Sequence, residues 1–277
     1  MISIIQLIKD SIQLYREHFV TIIKYLLLTA IPGALFLALI GPVAFLGPIF
    51  FASLLANKIF LIIISVLFLA LLVIAIYLAI WFNLSLIKTI ARLYQKETLP
   101  SVKTTLIETR PLIGRGFKSS LLVAILVMFP LLISGILISL ASYLGGGVIT
   151  TFTRLFGFVV MIYGLVHVVF FSVRFLFAAY EVAINKAEAV ASLKNSSAIV
   201  KGQWGKIFLR LIVISLIIYV AIILLTLILQ LINQIVNVAG VAIITNVILQ
   251  ICSFFLSAFT ICGVTILYFN AKSTLKN

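Results

Sequence analysis

Long apolar stretches alternate with short polar segments along the whole chain. A helix needs about 20 predominantly apolar residues to cross the hydrocarbon core of a bilayer. The apolar stretches predict six transmembrane helices, at about residues 19–40, 59–83, 119–144, 155–180, 206–232 and 240–269. Residues 41–58 are apolar too, but two Gly-Pro pairs interrupt them. This interruption is more typical of a re-entrant or interfacial piece than of a clean crossing.

The polar segments carry a helical periodicity of their own. In the first segment, apolar residues recur at the spacing of one helical face, which predicts an amphipathic helix lying at the membrane surface. These residues are Ile5, Ile8, Ile12, Tyr15 and Phe19. Residues 185–203 predict a second such helix, with Asn185 and Glu188 at capping-box spacing and Gly202 as its C-terminal stop.

These segments also repeat. The tetrapeptide at 8–11 resembles the one at 193–196, and matching positions continue at the same offset of 185 residues. A weaker third copy begins near Ser101, 98 residues after the first. Repetition on this scale is typical of modular architectures. We therefore predict an all-α integral membrane protein with six transmembrane helices arranged as three hairpins, each preceded by a cytoplasmic amphipathic helix. The single membrane domain, 1–277, divides into modules 1–83, 84–180 and 181–277.

Composition excludes a water-soluble protein. Only 9% of the residues are charged, whereas soluble domains carry roughly a quarter. The net charge is +14, and 18 of the 20 Lys and Arg residues fall on one side of the predicted helices. The exceptions are Lys58 and Arg154. The positive-inside rule therefore predicts a multi-pass protein of the plasma or inner membrane with both termini cytoplasmic, and it favours anionic inner-leaflet lipids over nucleic acid as the partner.

Arg174 and the segment VASLKNSSAIVKGQWGKIF at 190–208 carry a resemblance to a known group. They resemble prokaryotic six-helix membrane proteins of the YciC-like family, and the membrane domain joined to some glycerophosphoryl diester phosphodiesterases. Specific residues match over about 174–208, where Ser196 follows Arg174 at a spacing of 22 residues. Prolines often found after that arginine in the group are missing here, as is a phosphodiesterase domain. The resemblance implies a membrane module and does not imply phosphodiester hydrolysis.

Candidate chemistry is sparse. The chain has no nucleotide-binding, nucleophile-elbow or zinc-protease motif, and its two histidines are far apart. We therefore expect no enzymatic activity, no cofactor and no metal. One polar stripe stands out on the predicted fourth helix, because its members share a helical face. They are Tyr163, His167, Arg174 and Glu181. The stripe indicates either a pathway for a proton or an anionic headgroup, or an arginine that snorkels and a histidine bonded to a neighbouring helix.

Two further sets of residues are candidates for contacts. On the predicted surface helices, cations and aromatic rings are placed to meet lipid headgroups. They are Lys9, Arg16, Phe19, Lys194, Lys201 and Trp204. In the last hairpin, amides form polar faces that predict interhelical hydrogen bonds or, alternatively, an outward-opening groove. They include Gln230, Asn233, Asn246 and Gln250.

Together these patterns favour a non-enzymatic membrane protein that organises lipid or a membrane partner through basic amphipathic helices on the cytoplasmic face. A membrane protein or a second copy of the chain is a further candidate partner. The alternative is a transporter or lipid-translocating protein that uses the polar faces of helices four to six.

Overall fold

The computed structural model describes the backbone of residues 2–56, 58–143, 147–236 and 239–275, and the side chains of 2–37, 59, 62–141, 143, 147–235 and 244–275. This part of the chain is helical and contains no strand. The α-helices are α1 (Ile4–Glu17), α2 (Phe19–Ala56), α3 (Lys58–Tyr94), α4 (Val102–Thr109), α5 (Ile113–Tyr143), α6 (Val148–Arg174), α7 (Ala178–Asn185), α8 (Ala189–Val200), α9 (Trp204–Val236) and α10 (Ala239–Ser273). A 3₁₀ turn, Arg110–Leu112, joins α4 to α5.

Six stretches of the described residues are helical, long and apolar enough to cross a membrane, as the sequence predicts. They are Phe19–Leu37, Ile62–Tyr94, Val102–Ala141, Val148–Asn185, Trp204–Ile235 and Ile244–Ser273. Their hydrophobic side chains are largely exposed on the isolated chain. A surface of this kind is stable in lipid and unstable in water, so the chain is a multi-pass membrane protein.

The segment 41–58 differs from the prediction of an interrupted, re-entrant or interfacial piece. Helix α2 continues without a break through Ala56, so the backbone of 41–56 is helical. In an apolar environment a helix satisfies the backbone N–H and C=O groups within the segment itself, which outweighs the local preference of Gly-Pro pairs for turns. Residue 57 and the side chains of 41–58 lie outside the described part of the chain.

The contacts between Cα atoms divide the chain into two compact units. Unit 1 comprises residues 114–213 and 267–277, which cover most of α5, all of α6 to α8, the start of α9 and the end of α10. Unit 2 comprises residues 2–113 and 214–266, which cover α1 to α4 and the remaining parts of α9 and α10.

In unit 2, the long helix α10 packs closely against both α1 and α9. A Cβ atom added at Gly263 would lie 2.9 Å from the Ile214 side chain and 3.4 Å from the Ser11 hydroxyl. Leu7, Ser11 and Leu14 form the buried face of α1, while Ile5 and Ile12 are exposed. Ile5 and Ile12 of the apolar face predicted from the sequence are thus exposed, Tyr15 of that face is partly buried, and a second face holds α1 in place.

In unit 1, α5 and α6 pack at two glycines seven residues apart. A Cβ atom at Gly157 would lie 2.8 Å from the side chain of Ile138, and one at Gly164 would lie 2.7 Å from that of Leu131. Small residues allow such close approach between membrane helices, where van der Waals contact replaces the hydrophobic effect as the driving force.

The short helices α1, α4 and α8 share one pattern of burial at the predicted repeat offsets. Their N-cap residues are Ser3, Ser101 and Glu188. Side chains at 4, 8 and 11 residues after each cap are at most 7% exposed. These are Leu7, Ser11 and Leu14 after the first cap, Thr105, Thr109 and Leu112 after the second, and Ser192, Ser196 and Ile199 after the third. A small hydroxyl residue occupies the middle position each time.

Candidate functional site

The fourth predicted crossing is interrupted where the sequence suggests a continuous helix. Helix α6 ends at Arg174, and α7 begins at Ala178. The buried hydroxyl of Ser196, on α8, donates to the carbonyl oxygen of Arg174 (2.9 Å) and accepts from the backbone N–H of Phe177 (3.1 Å). These are backbone groups at helix ends that need partners outside their own helix. The side chain of Ser196 thus connects the two sides of the interruption.

This interruption lies within the predicted polar stripe. Tyr163, His167 and Arg174 lie on α6, and Glu181 lies on α7. The ring of His167 is stacked on Phe171 (4.2 Å between centroids), and its Nε2 lies 2.9 Å from the carbonyl oxygen of Leu126 on α5. The ring of Tyr163 lies 5.8 Å from that of His167.

Glu181 is buried in a fully hydrogen-bonded polar cluster. Its Oε1 accepts from the Tyr268 hydroxyl (2.7 Å) and from Lys272 Nζ (3.0 Å), and its Oε2 accepts from Asn195 Nδ2 (3.1 Å). Asn185 Nδ2 donates to the Tyr268 hydroxyl (2.8 Å). Because a buried charge is stable only when paired and hydrogen-bonded, this cluster ties the end of α10 to α7 and α8.

Arg174 lies beside this cluster but bonds to a hydroxyl. Its Nε donates to Ser197 Oγ (2.7 Å), and its guanidinium lies 5.6 Å from the centre of the Phe171 ring. The side-chain partner of this cation is therefore a hydroxyl. The carboxylate of Glu181 is taken by Tyr268, Lys272 and Asn195.

A cavity of about 280 Å³ lies next to Arg174 and is the candidate site; we call it the Arg174 pocket. It is lined by Phe170, Arg174, Ser197, Val200, Lys201, Gly202 and Trp204. One wall comes from the end of α6 and the other from the α8–α9 junction. At that junction Gly202 has φ +79°, a backbone conformation that side-chain-bearing residues rarely adopt.

The aromatic wall of the pocket is held in place. Trp204 Nε1 donates to the carbonyl oxygen of Phe170 (3.0 Å), and the Trp204 ring is stacked on Phe170 and Phe208. Lys201 is exposed at the same junction. A guanidinium, an ammonium, a hydroxyl and two aromatic rings thus surround one small cavity.

The other predicted surface contacts are distributed over both units. Lys9 and Arg16 on α1 and Lys194 on α8 are exposed. Phe19 is 44% exposed, and its ring lies 5.4 Å from that of Tyr15. Burial raises the pKa of Tyr15, whose hydroxyl donates to the carbonyl oxygen of Phe255 (3.3 Å).

In the last pair of long helices, one of the amides named from the sequence forms a hydrogen bond between the helices. Asn233 Nδ2 on α9 donates to the Thr245 hydroxyl on α10 (2.9 Å). Gln230, Asn246 and Gln250 are exposed and are not part of that pair. The amide therefore has a partner, but sequence reasoning chose neighbouring residues of α10 instead of Thr245.

A second ion-paired cluster lies in unit 2. Glu108 Oε2 lies 2.8 Å from Lys88 Nζ and 2.8 Å from Arg92 Nη2, and Arg92 Nε lies 3.8 Å from Glu97. A cavity of about 510 Å³ opens beside Arg92, Glu97 and Glu108. Its charges balance one another, so it has no surplus for an anionic ligand.

Sequence reasoning missed Tyr268, Lys272, Asn195 and Ser197. One signal was available for Ser197, since it lies four residues before Lys201 in a segment whose sequence predicts a helix. No group of three or more potential metal ligands occurs among the described residues. Comparisons with protein-family models, with curated proteins and with solved structures find no match.

Proposed function

We propose that this chain is a non-enzymatic, multi-pass protein of the plasma or inner membrane that gathers anionic phospholipids on its cytoplasmic side. The likeness to YciC-like proteins and the three-module repeat belong to the same proposal. The shared burial pattern of α1, α4 and α8 supports the repeat.

One observation carries the proposal: unit 1 has a large surplus of accessible positive charge. Residues 114–213 and 267–277 contain eleven Lys and Arg residues but two acids, Glu181 and Glu188. Both acids are paired, Glu181 with Lys272 (3.0 Å) and Glu188 with Arg115 (2.8 Å). Four exposed lysines form no ion pair within the described residues. They are Lys186, Lys194, Lys201 and Lys206.

A surplus of exposed charge of one sign attracts groups of the opposite charge. The lysines flank helices that are apolar enough to span a membrane, so lipid headgroups are the nearest source of negative charge. Each cation near an anionic leaflet contributes about 1 kcal/mol of attraction. Four such lysines therefore favour anionic over zwitterionic lipid by a few kcal/mol. By the positive-inside rule, this side is cytoplasmic.

The exposed apolar residues of α1 support the same proposal. Ile5 and Ile12 are exposed on a helix whose other face is fixed to the protein. An interfacial helix with such a face lies in the headgroup region of a membrane. In this proposal the exposed residues of α1 contact lipid, while the positive charge of unit 1 determines which lipid is retained.

The test is the lipid retained by the purified protein. We expect protein reconstituted in vesicles of equal phosphatidylglycerol and phosphatidylcholine, then extracted in mild detergent, to retain mainly phosphatidylglycerol. Raising the salt concentration should reduce the enrichment, because salt screens charges at the membrane surface. Retention of the two lipids in equal amounts would reject the proposal.

Flux measurements separate this proposal from the transporter alternative. Vesicles containing the protein are loaded with ions or with fluorescent phospholipid, and release or exchange between leaflets is followed. The proposal predicts rates equal to those of protein-free vesicles. Accelerated movement of an ion or a lipid would favour transport instead.

A further inference from the structure

We propose that the Arg174 pocket binds a single phosphate group, that of an anionic phospholipid headgroup, between Arg174, Ser197 and Lys201. The inference rests on the proposed function and deepens it. The general charge of unit 1 attracts anionic lipid, and this pocket gives one lipid a defined site.

Arg174 has hydrogen-bond donors to spare. Its Nε is fixed by Ser197 Oγ at 2.7 Å, while its two terminal nitrogens donate to no acceptor among the described residues. The contact with Phe171 holds the guanidinium plane from another side. A guanidinium fixed in this way presents two parallel N–H groups, the geometry that suits a phosphate bidentately.

Ser197, in the last turn of α8, and Lys201, the residue directly after α8, supply further donors to the pocket. The Ser197 hydroxyl accepts from Arg174 and donates to no described acceptor, so its proton is available for a phosphate oxygen. Lys201 lines the pocket four residues later and has no acidic partner in the described part of the chain. Helix α9 begins at Trp204, and the first turn of a helix has free N–H groups that attract anions.

The dimensions of the pocket suit a headgroup. Its volume of about 280 Å³ is that of several waters, at roughly 30 Å³ each. The volume lies at the lower end of that of pockets that enclose drug-sized molecules, about 300–1,000 Å³, and is too small for two acyl chains as well. The site therefore takes the phosphate and leaves the acyl chains outside.

The aromatic wall favours a lipid over free phosphate. Phe170 and Trp204 line the pocket together with Val200, and Trp204 is fixed by its bond to the Phe170 carbonyl. Aromatic rings with one polar edge prefer the headgroup level of a membrane. A dissolved phosphate ion would gain nothing from these apolar surfaces, whereas the glycerol and first methylene groups of a lipid would contact them.

Binding of short-chain lipids to the full-length protein in neutral detergent tests the inference. Trp204 reports occupancy by its fluorescence in a Trp81→Phe background, and calorimetry provides an independent measure of Kd. The probes are dihexanoyl phosphatidylglycerol, dihexanoyl phosphatidylcholine and inorganic phosphate. We expect the phosphatidylglycerol probe to bind at least tenfold more tightly than either of the others.

The variants separate the pocket from general charge. Arg174→Gln should weaken binding of the phosphatidylglycerol probe about tenfold or more, and Ser197→Ala, which keeps every charge, should weaken it several-fold. Lys103→Gln removes the same charge as Arg174→Gln from an exposed position of unit 2, outside the pocket and outside the lysines of unit 1, and should change Kd less than twofold. Arg174→Lys should fall between wild type and Arg174→Gln, since an ammonium cannot form the two-pronged contact.

The possible failures are distinct. If Lys103→Gln and Arg174→Gln weaken binding equally, or if Ser197→Ala has no effect, the pocket is not the site, while the proposed function stands. If inorganic phosphate binds as tightly as the lipid probe, the lipid assignment is overturned. If the wild-type protein binds both lipid probes equally, the proposed function itself fails.

Discussion

The hydroxyl of Tyr268 is the most informative single group to remove, because Tyr268→Phe deletes one oxygen and leaves the ring. That hydroxyl donates to Glu181 Oε1 (2.7 Å) and accepts from Asn185 Nδ2 (2.8 Å) and Lys272 Nζ (2.9 Å). The ring itself packs against Phe177, with 5.5 Å between centroids. The substitution therefore leaves the packing intact and tests the polar cluster alone.

The size of the expected loss of stability depends on which partners of the hydroxyl can form a new hydrogen bond with water. Glu181 is 2% exposed and cannot replace the lost donor with solvent, whereas Asn185 is exposed and Lys272 partly so. A hydrogen bond to a charged group contributes about 1.5–3 kcal/mol, so we expect Tyr268→Phe to lower the free energy of unfolding by about 2 kcal/mol.

The assay is equilibrium unfolding of the purified protein in mixed micelles with an increasing fraction of dodecyl sulfate, followed by circular dichroism. Tyr163→Phe is the matched control, since Tyr163 is 61% exposed and its hydroxyl bonds to no described residue. The control should change stability by less than about 0.5 kcal/mol. An equal effect of the two substitutions would refute the reasoning about Glu181.

Three further predictions use the same preparation or whole cells. Gly164→Ala should lower the free energy of unfolding by about 1–3 kcal/mol, because the new Cβ would lie 2.7 Å from the Leu131 side chain. Gly114→Ala, whose Cβ would have nothing within 4 Å, should not lower it. Equal unfolding curves for the two variants would contradict this. Ser196→Ala should cost about 1–3 kcal/mol, since it leaves two buried backbone groups without a partner, and an unchanged unfolding midpoint would argue against that role. A cysteine at Lys103 in a cysteine-free variant should resist an impermeant reagent added to intact cells, and its modification would refute the predicted topology.

The sequence was sufficient to predict the number of long helices because the bilayer imposes a simple requirement. Each crossing needs a long apolar run, and polar segments must lie between the runs. The interruption between Arg174 and Ala178 was not predictable from the local pattern, since the residues on both sides remain apolar. It depends on Ser196, which lies 22 and 19 residues from the backbone groups that it binds.

The candidate site was predicted in part for a similar reason. Arg174, Lys201 and Trp204 stand out by residue type, as a cation inside a crossing and as interfacial residues. The partners of Glu181 do not, because Tyr268 and Lys272 lie 87 and 91 residues away and nothing local marks them. A lone acid near the end of a predicted crossing indicates that some cation must meet it, but the identity of that cation depends on tertiary structure.

The proposed function requires that the exposed lysines of unit 1 select anionic lipid at the membrane. The most direct measurement is quenching of Trp204 fluorescence by brominated lipids, in vesicles containing the Trp81→Phe protein. Brominated phosphatidylglycerol diluted in unlabelled phosphatidylcholine should quench Trp204 more strongly than the same fraction of brominated phosphatidylcholine diluted in unlabelled phosphatidylglycerol. Added salt should reduce this difference in quenching. Equal quenching by the two brominated lipids at low salt would contradict the claim.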